Sequence, residues 1–272
     1  MQSLELADTT IKYAVAGAGA PVLLIQGVGL AGQGWQPQVE GLRGEFSLLS
    51  FDHRGIDGNL DGTSNLTIGQ MAEDVVALLD AVGWESAHIV GHSMGGLVAQ
   101  ELALTQPKRV RSLALLCTFS RGIEGAGMTP WMMWTGMRSR LGTARMRRSA
   151  FLEIVVPMDQ LRVVDREQLA AELAPLFGHD LAHQPAVVMR QIRAMARHDR
   201  RRRLSELASI ATLVVSGRHD KLALPKYGRR LAAEIPGASF VEIVDAAHGA
   251  PITRKDVVNE LLRQHFRGRR PS

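Results

Sequence analysis

The sequence predicts an α/β protein: a doubly wound, mostly parallel sheet with an antiparallel hairpin at its N-terminus and a helical segment inserted late in the sheet. Three observations predict it. Short apolar runs such as Val22-Leu23-Leu24-Ile25 alternate with helical stretches, the pattern of strands covered on both faces by crossover helices. That alternation stops after Cys117 and returns at Thr212. Earlier in the chain, Gly91-His92-Ser93-Met94-Gly95-Gly96 joins an apolar run to a helix-forming run with no intervening loop. A chain of 272 residues suits one large domain carrying an insertion better than two independent domains.

Taken in order, Leu4-Glu5-Leu6 and Ile11-Lys12-Tyr13-Ala14-Val15 alternate like paired strands and are joined through Ala7-Asp8-Thr9, giving the hairpin. Gly17-Ala18-Gly19-Ala20-Pro21 then breaks the chain before the first core strand, and Phe46-Ser47-Leu48-Leu49-Ser50-Phe51 is the next. A helix is expected over 67–82, with Thr67 as N-cap, Gln70 three residues on, and Met71, Val75, Leu78 and Leu79 on its buried side. The strand Ala87-His88-Ile89-Val90, the turn at Ser93 and the following helix lead to Pro107 and a strand over 110–117. Helices broken by loops fill 118–203, the first carrying Trp131, Met132, Met133, Trp134 and Met137. Strand 212–216, helix 225–235, strand 239–243 and a last helix over 253–266 resume the rhythm. The expected organisation is therefore a core of 1–117 and 204–272 interrupted by 118–203.

Turning a strand into a helix within one residue forces Ser93 into a strained, positive-φ backbone and lifts its Oγ above the sheet edge. Side chains at Gly91 or Gly95 would collide where strand and helix meet. A serine hydroxyl is a weak nucleophile at neutral pH, so its chemistry needs a base to take the proton and an acid to orient that base. His248, wedged in Ala246-Ala247-His248-Gly249-Ala250-Pro251 after a strand, is the candidate base. The other histidines have structural readings. His92 packs beside the serine, His53 and His219 hold loops, His88 lies within the strand, and His179, His183, His198 and His265 lie among helices. Asp220 follows a strand in the same way as His248 and is favoured as the acid over Asp245, read as a loop brace, and Asp52, read as a partner of Arg54. The attacked carbonyl becomes an oxyanion, which takes two backbone N–H donors. Met94 supplies one and Val28, in Gln26-Gly27-Val28-Gly29, the other, with Gly27 on the pocket wall.

Together with Trp35 and Asp52-His53-Arg54-Gly55, these segments resemble the α/β-hydrolase superfamily over nearly the whole chain except the insertion. Within it the chain is similar to small capped esterases, enol-lactonases and C–C bond hydrolases. The resemblance implies the α/β-hydrolase fold, a helical cap at 118–203, and an acyl pocket lined by Trp131, Met132, Trp134 and Met137 with Met133. It also implies a serine hydrolase that cleaves an ester or lactone of a small, largely apolar substrate through an acyl-enzyme, with no metal or organic cofactor. C–C bond hydrolysis or cofactor-free perhydrolysis would use the same residues, and a ligand-sensing receptor is a third reading. The chain departs from its relatives in two places. Gln26-Gly27 stands where many have His-Gly, and Ile56-Asp57-Gly58-Asn59-Leu60-Asp61-Gly62-Thr63-Ser64 makes a longer, more acidic loop expected at the pocket rim. Ser93 also separates it from dehalogenases and epoxide hydrolases, which need aspartate there.

One cysteine, Cys117, excludes an internal disulfide and a multi-cysteine metal site, and its apolar surroundings read as a packed strand residue. The net charge of +5 comes mostly from arginines at 145–148, 200–203 and 267–270. These clusters are separated and lack interleaved aromatics, so solvated helix ends and a frayed tail are the better reading than nucleic-acid binding. No stretch approaches the roughly 20 apolar residues that span a bilayer, and the first residues do not read as a signal peptide. A cytoplasmic enzyme acting on a small molecule is the expectation.

Overall fold

The computed structural model describes residues 1–57, 66–126 and 129–269. The first half runs β1 (Gln2–Leu6), β2 (Thr9–Ala16), β3 (Ala20–Ile25), α1 (Gln36–Leu42), β4 (Phe46–Phe51), α2 (Ile68–Ala81), β5 (Ala87–His92), α3 (Met94–Thr105) and β6 (Val110–Leu116). Five helices follow: α4 (Gly122–Ala126), α5 (Pro130–Arg138), α6 (Ala144–Val155), α7 (Arg166–Phe177) and α8 (Val188–Ala196). The chain then closes with β7 (Thr212–Gly217), α9 (Pro225–Glu234), β8 (Ser239–Ile243), α10 (Ala250–Thr253) and α11 (Lys255–Phe266).

Among the described residues, eight strands form one sheet in the order β1-β2-β4-β3-β5-β6-β7-β8. β1 and β2 are antiparallel, β2 is antiparallel to β4, and every other pairing is parallel. The apolar run in β3 shows why. Leu23 and Ile25 enter the core on one face of the sheet with α2 and α3, while Val22 and Leu24 enter the core on the other with Trp35 and α11. Each such burial stabilises by roughly 1.5–3 kcal/mol. At the start of α2, Thr67 Oγ1 accepts from the Gln70 N–H at 3.0 Å, a cap worth about 1 kcal/mol. The Gln70 side chain does not complete a capping box; its amide donates to Asp8 at 3.4 Å.

Three local readings are corrected. Cys117 lies one residue past β6 at φ 47° and is fully buried, so it packs as expected but outside the strand. The last helix is two, because Arg254 leaves helical geometry between α10 and α11. Arg54 pairs not with Asp52 but with Asp74, at 2.7 and 2.6 Å, and with Asp8 at 2.8 Å. A buried guanidinium needs a bidentate acceptor, and Asp74 on α2 supplies it. The arginine clusters are in large part offset by carboxylates. Arg148 meets Glu167 and Asp180, Arg200 meets Glu101, Arg201 meets Asp199, and Arg267 meets Glu45. Glu101, on α3, also faces His198 at 3.8 Å. The acidic loop expected at the pocket rim lies largely outside the described residues, as does Arg270. No helix among the described residues is long and apolar enough to cross a membrane.

Candidate active site

Ser93 stands alone between the end of β5 and the start of α3, with φ 54° and ψ −119°. Such a conformation costs of order 1–3 kcal/mol and persists only where neighbours over-determine it. Here Ser93 N–H donates to Leu116 O at 3.0 Å, while Thr118 Oγ1 and Gly96 N–H donate to Ser93 O at 2.7 and 2.9 Å. A Cβ at Gly91 would overlap Gly95 O, as expected of the strand-to-helix junction. At Gly95 the obstacle is instead Ile25 O. That glycine lets α3 sit against the end of the neighbouring β3.

The ends of β7 and β8 bring the other two candidates to the same edge. Asp220 Oδ1 accepts from the Leu222 and Ala223 N–H groups, both at 2.8 Å, and this fixes the carboxylate. Its Oδ2 accepts from His248 Nδ1 at 2.8 Å, and His248 Nε2 lies 3.0 Å from Ser93 Oγ. With Nδ1 protonated, Nε2 is left to accept the hydroxyl proton. All three side chains are buried. The rivals for Asp220 are elsewhere: Asp245 is exposed and pairs with Arg254 at 2.8 Å, and Asp52 accepts from Gly32 N–H at 2.6 Å.

His92 supports the site without joining this line. Its Nε2–H donates to His248 O at 2.9 Å, and Trp35 packs edge-on against its ring. Burial, and secondarily the nearby His248, push its pKa down to about 3, so it stays the neutral donor its contact needs. His53 likewise holds the Gln26 carbonyl at 3.0 Å. His219 is exposed rather than packed, but its N–H ties the loop to Ala246 O. Burial raises the Cys117 thiol pKa well above its ordinary value.

Beside Ser93 runs the segment from Gln26 to Gly29. A Cβ at Gly27 would lie 3.1 Å from Ser93 Cβ, so the backbone passes close to the nucleophile candidate. Gly27 N–H donates to Gln26 Oε1 at 3.2 Å and Gly29 N–H to Gln191 Oε1 at 2.8 Å. Between them, Val28 N–H has no hydrogen-bond partner among the described residues. Met94 N–H, at the first position of α3, belongs to the set that helix geometry leaves without an intrahelical acceptor.

Above Ser93 and His248 opens a cavity of about 690 Å³. Of the residues assigned to the pocket from the sequence, Gly27, Trp131, Met132, Met133 and Met137 line this cavity. Trp134 does not line it and is 56% exposed. Further wall comes from residues not assigned to the pocket from the sequence: Phe151 and Ile154 of α6, Phe177 of α7, and Val188 and Ile192 of α8. Their apolar character was readable, but the direction each helix faces was not. Gln191 of α8 and His179, between α7 and α8, reach the Gln26–Gly29 segment and carry no local signal in the sequence.

Comparison with known proteins adds the following. The family model for the alpha/beta hydrolase fold matches residues 20–255. RutD of Azorhizobium caulinodans, whose name proposes carbamate hydrolysis, is 32% identical over 263 residues, covering 94% of each chain. The enol-lactonase of Burkholderia xenovorans LB400 superimposes with a TM-score of 0.81 at 27% identity, covering 98% of this chain and 100% of that one. Est816, described as an N-acyl homoserine lactone degrading enzyme, gives 0.78 at 28% identity over 96% and 99%.

Proposed function

Because the chain belongs to the α/β-hydrolase family, we propose that it is a serine hydrolase cleaving a carboxylic ester or lactone through an acyl-enzyme. Residues 118–203 act as its cap. Ser93 Oγ attacks the carbonyl as His248 Nε2 takes its proton, and Asp220 holds the imidazole tautomer and stabilises the imidazolium. The oxyanion is received by the N–H groups of Val28 and Met94, each such donor being worth about 3 kcal/mol. His248 then returns the proton to the leaving alkoxide. Water repeats the sequence on the acyl-enzyme and frees the acid.

The observation that carries this reading is the buried line Asp220–His248–Ser93, linked at 2.8 and 3.0 Å and opening into the cavity. Walls built from Phe151, Ile154, Phe177 and Val188 favour a substrate with a sizeable apolar acyl or alkyl part. A carbamate ester offers Ser93 the same carbonyl, and the 32% identity to RutD favours that second reading. Labelling with a fluorophosphonate tests the common mechanism: Ser93 is expected to be modified, and Ser93→Ala to lose both labelling and turnover. Unaltered turnover of p-nitrophenyl esters by Ser93→Ala would refute it. A panel of acyl-chain lengths, lactones and aryl carbamates then distinguishes the substrate readings.

A further inference from the structure

The Val28 N–H, without a hydrogen-bond partner among the described residues, lies between two peptide groups that are held. On one side the holder is local, Gln26 Oε1 accepting from Gly27 N–H. On the other it comes from the cap. Gln191, fully buried on α8, accepts from Gly29 N–H at 2.8 Å across 162 residues of sequence. The Gly29 carbonyl is within 3.3 Å of His179 Nε2, across 150 residues. Gly29 itself has φ 73°, and a Cβ there would press on Val188 of α8 at 2.8 Å. The N–H of this one residue is thus secured by the cap, its carbonyl faces His179 of the cap, and its lack of a side chain lets α8 close down on it.

Resting on the serine-hydrolase reading, we propose that Gln191 is a positioning residue for the oxyanion loop: by accepting from Gly29 N–H it fixes the Val28–Gly29 peptide plane, and through it the direction in which the adjoining Val28 N–H meets the reacting carbonyl. Without that acceptor Gly29, unrestrained by a side chain, has neighbouring conformations within easy reach, and the Val28 donor loses its alignment. His179 is the lesser restraint, because its contact is longer and its side chain only half-buried. The cap then takes part in transition-state stabilisation as well as in forming the pocket.

The test uses the full chain with Gln191→Met, which keeps the volume and removes the acceptor. With p-nitrophenyl butyrate, kcat is expected to fall about 100-fold, the loss typical of a displacement near 1 Å at a reacting centre, while KM stays within about twofold. The rate of fluorophosphonate labelling at Ser93 should fall in parallel, because the phosphonyl oxygen takes the oxyanion's place. The pH profile should keep its shape, since His248 and Asp220 are untouched. His179→Phe, at a half-buried site, gives the same split with a smaller loss and serves should Gln191→Met fail to fold. Unchanged kcat in a folded Gln191→Met, or a rise in KM alone, overturns the proposal while leaving Ser93 labelling of the wild type intact. A wild-type chain that neither labels nor turns over overturns the hydrolase reading and this inference with it.

Discussion

Replacing Asp220 by asparagine tests the orienting role more sharply than deleting the side chain. Asp220 Oδ1 accepts from two backbone N–H groups at 2.8 Å, so an asparagine must place its carbonyl oxygen there and its NH2 where Oδ2 now meets His248 Nδ1. Flipping the amide would set two N–H groups against an NH2 and abandon two hydrogen bonds, costing about 1–3 kcal/mol for each backbone donor left buried and unpaired. The NH2 therefore donates to Nδ1, and the imidazole proton moves to Nε2, the atom 3.0 Å from Ser93 Oγ. A protonated Nε2 cannot take the serine proton. In serine hydrolases where this tautomer is imposed, kcat falls roughly 10,000-fold, equivalent to about 5.4 kcal/mol at 1.36 kcal/mol per tenfold. The assay is kcat for a p-nitrophenyl ester by Asp220→Asn, with circular dichroism to establish the fold. A loss smaller than about tenfold would refute the assignment of Asp220, and with it the argument from the two backbone donors.

Three further predictions follow from the same geometry. Trp134→Ala should leave kcat/KM for butyrate and octanoate esters within about twofold, whereas Ile154→Trp, on the cavity wall, should shift preference toward shorter acyl chains; the reverse pattern in a chain-length panel would place the pocket elsewhere. Burial lowers the pKa of His92 to about 3 and of His88 and His265 to about 4, from an ordinary 6.5. The unfolded chain therefore binds protons at a higher pH than the folded one, and stability present above pH 6.5 drains away as pH falls from 6.5 toward 4; a urea midpoint that stays flat across that interval contradicts it. Gly95→Ala drives a Cβ into Ile25 O, and a loss of about 3 kcal/mol, the upper end of overpacking costs, should appear as a lowered Tm, an unshifted melt being the contrary result.

What the sequence made legible is what local sterics and strand order control. Ser93 was readable because a strand-to-helix junction of one residue tolerates few sequences, and Asp220 and His248 because both follow apolar runs that end at one sheet edge. Val28 stands out in the sequence by its place in a glycine-flanked loop, and among the described residues its N–H has no hydrogen-bond partner. Legibility ended where a side chain answers to distant chain. Arg54 had a carboxylate two residues away in Asp52 but took Asp74 and Asp8. Met133 and Trp134 are adjacent and both apolar, and which of them reaches the cavity depends on how α5 is rotated against the core. Gln191 sits among ordinary helical residues, and nothing near it in sequence marks a glycine 162 positions earlier.

The pairing of Glu101 with Arg200 and His198 bears on how the two parts of this protein could have been exchanged in descent or by design. Glu101 lies two turns along the helix that Ser93 begins, and its buried carboxylate receives charge from the segment where the chain leaves the insertion. A foreign cap grafted between β6 and β7 would leave that carboxylate buried without a counterion unless it brought an equivalent of Arg200, and would leave Gly29 unheld unless it brought an equivalent of Gln191. The stretch between β6 and β7 is contiguous in sequence but not self-contained in its obligations. The transferable unit is the helices together with those two side chains, and a chimera lacking them should lose folding stability at the first junction and turnover at the second.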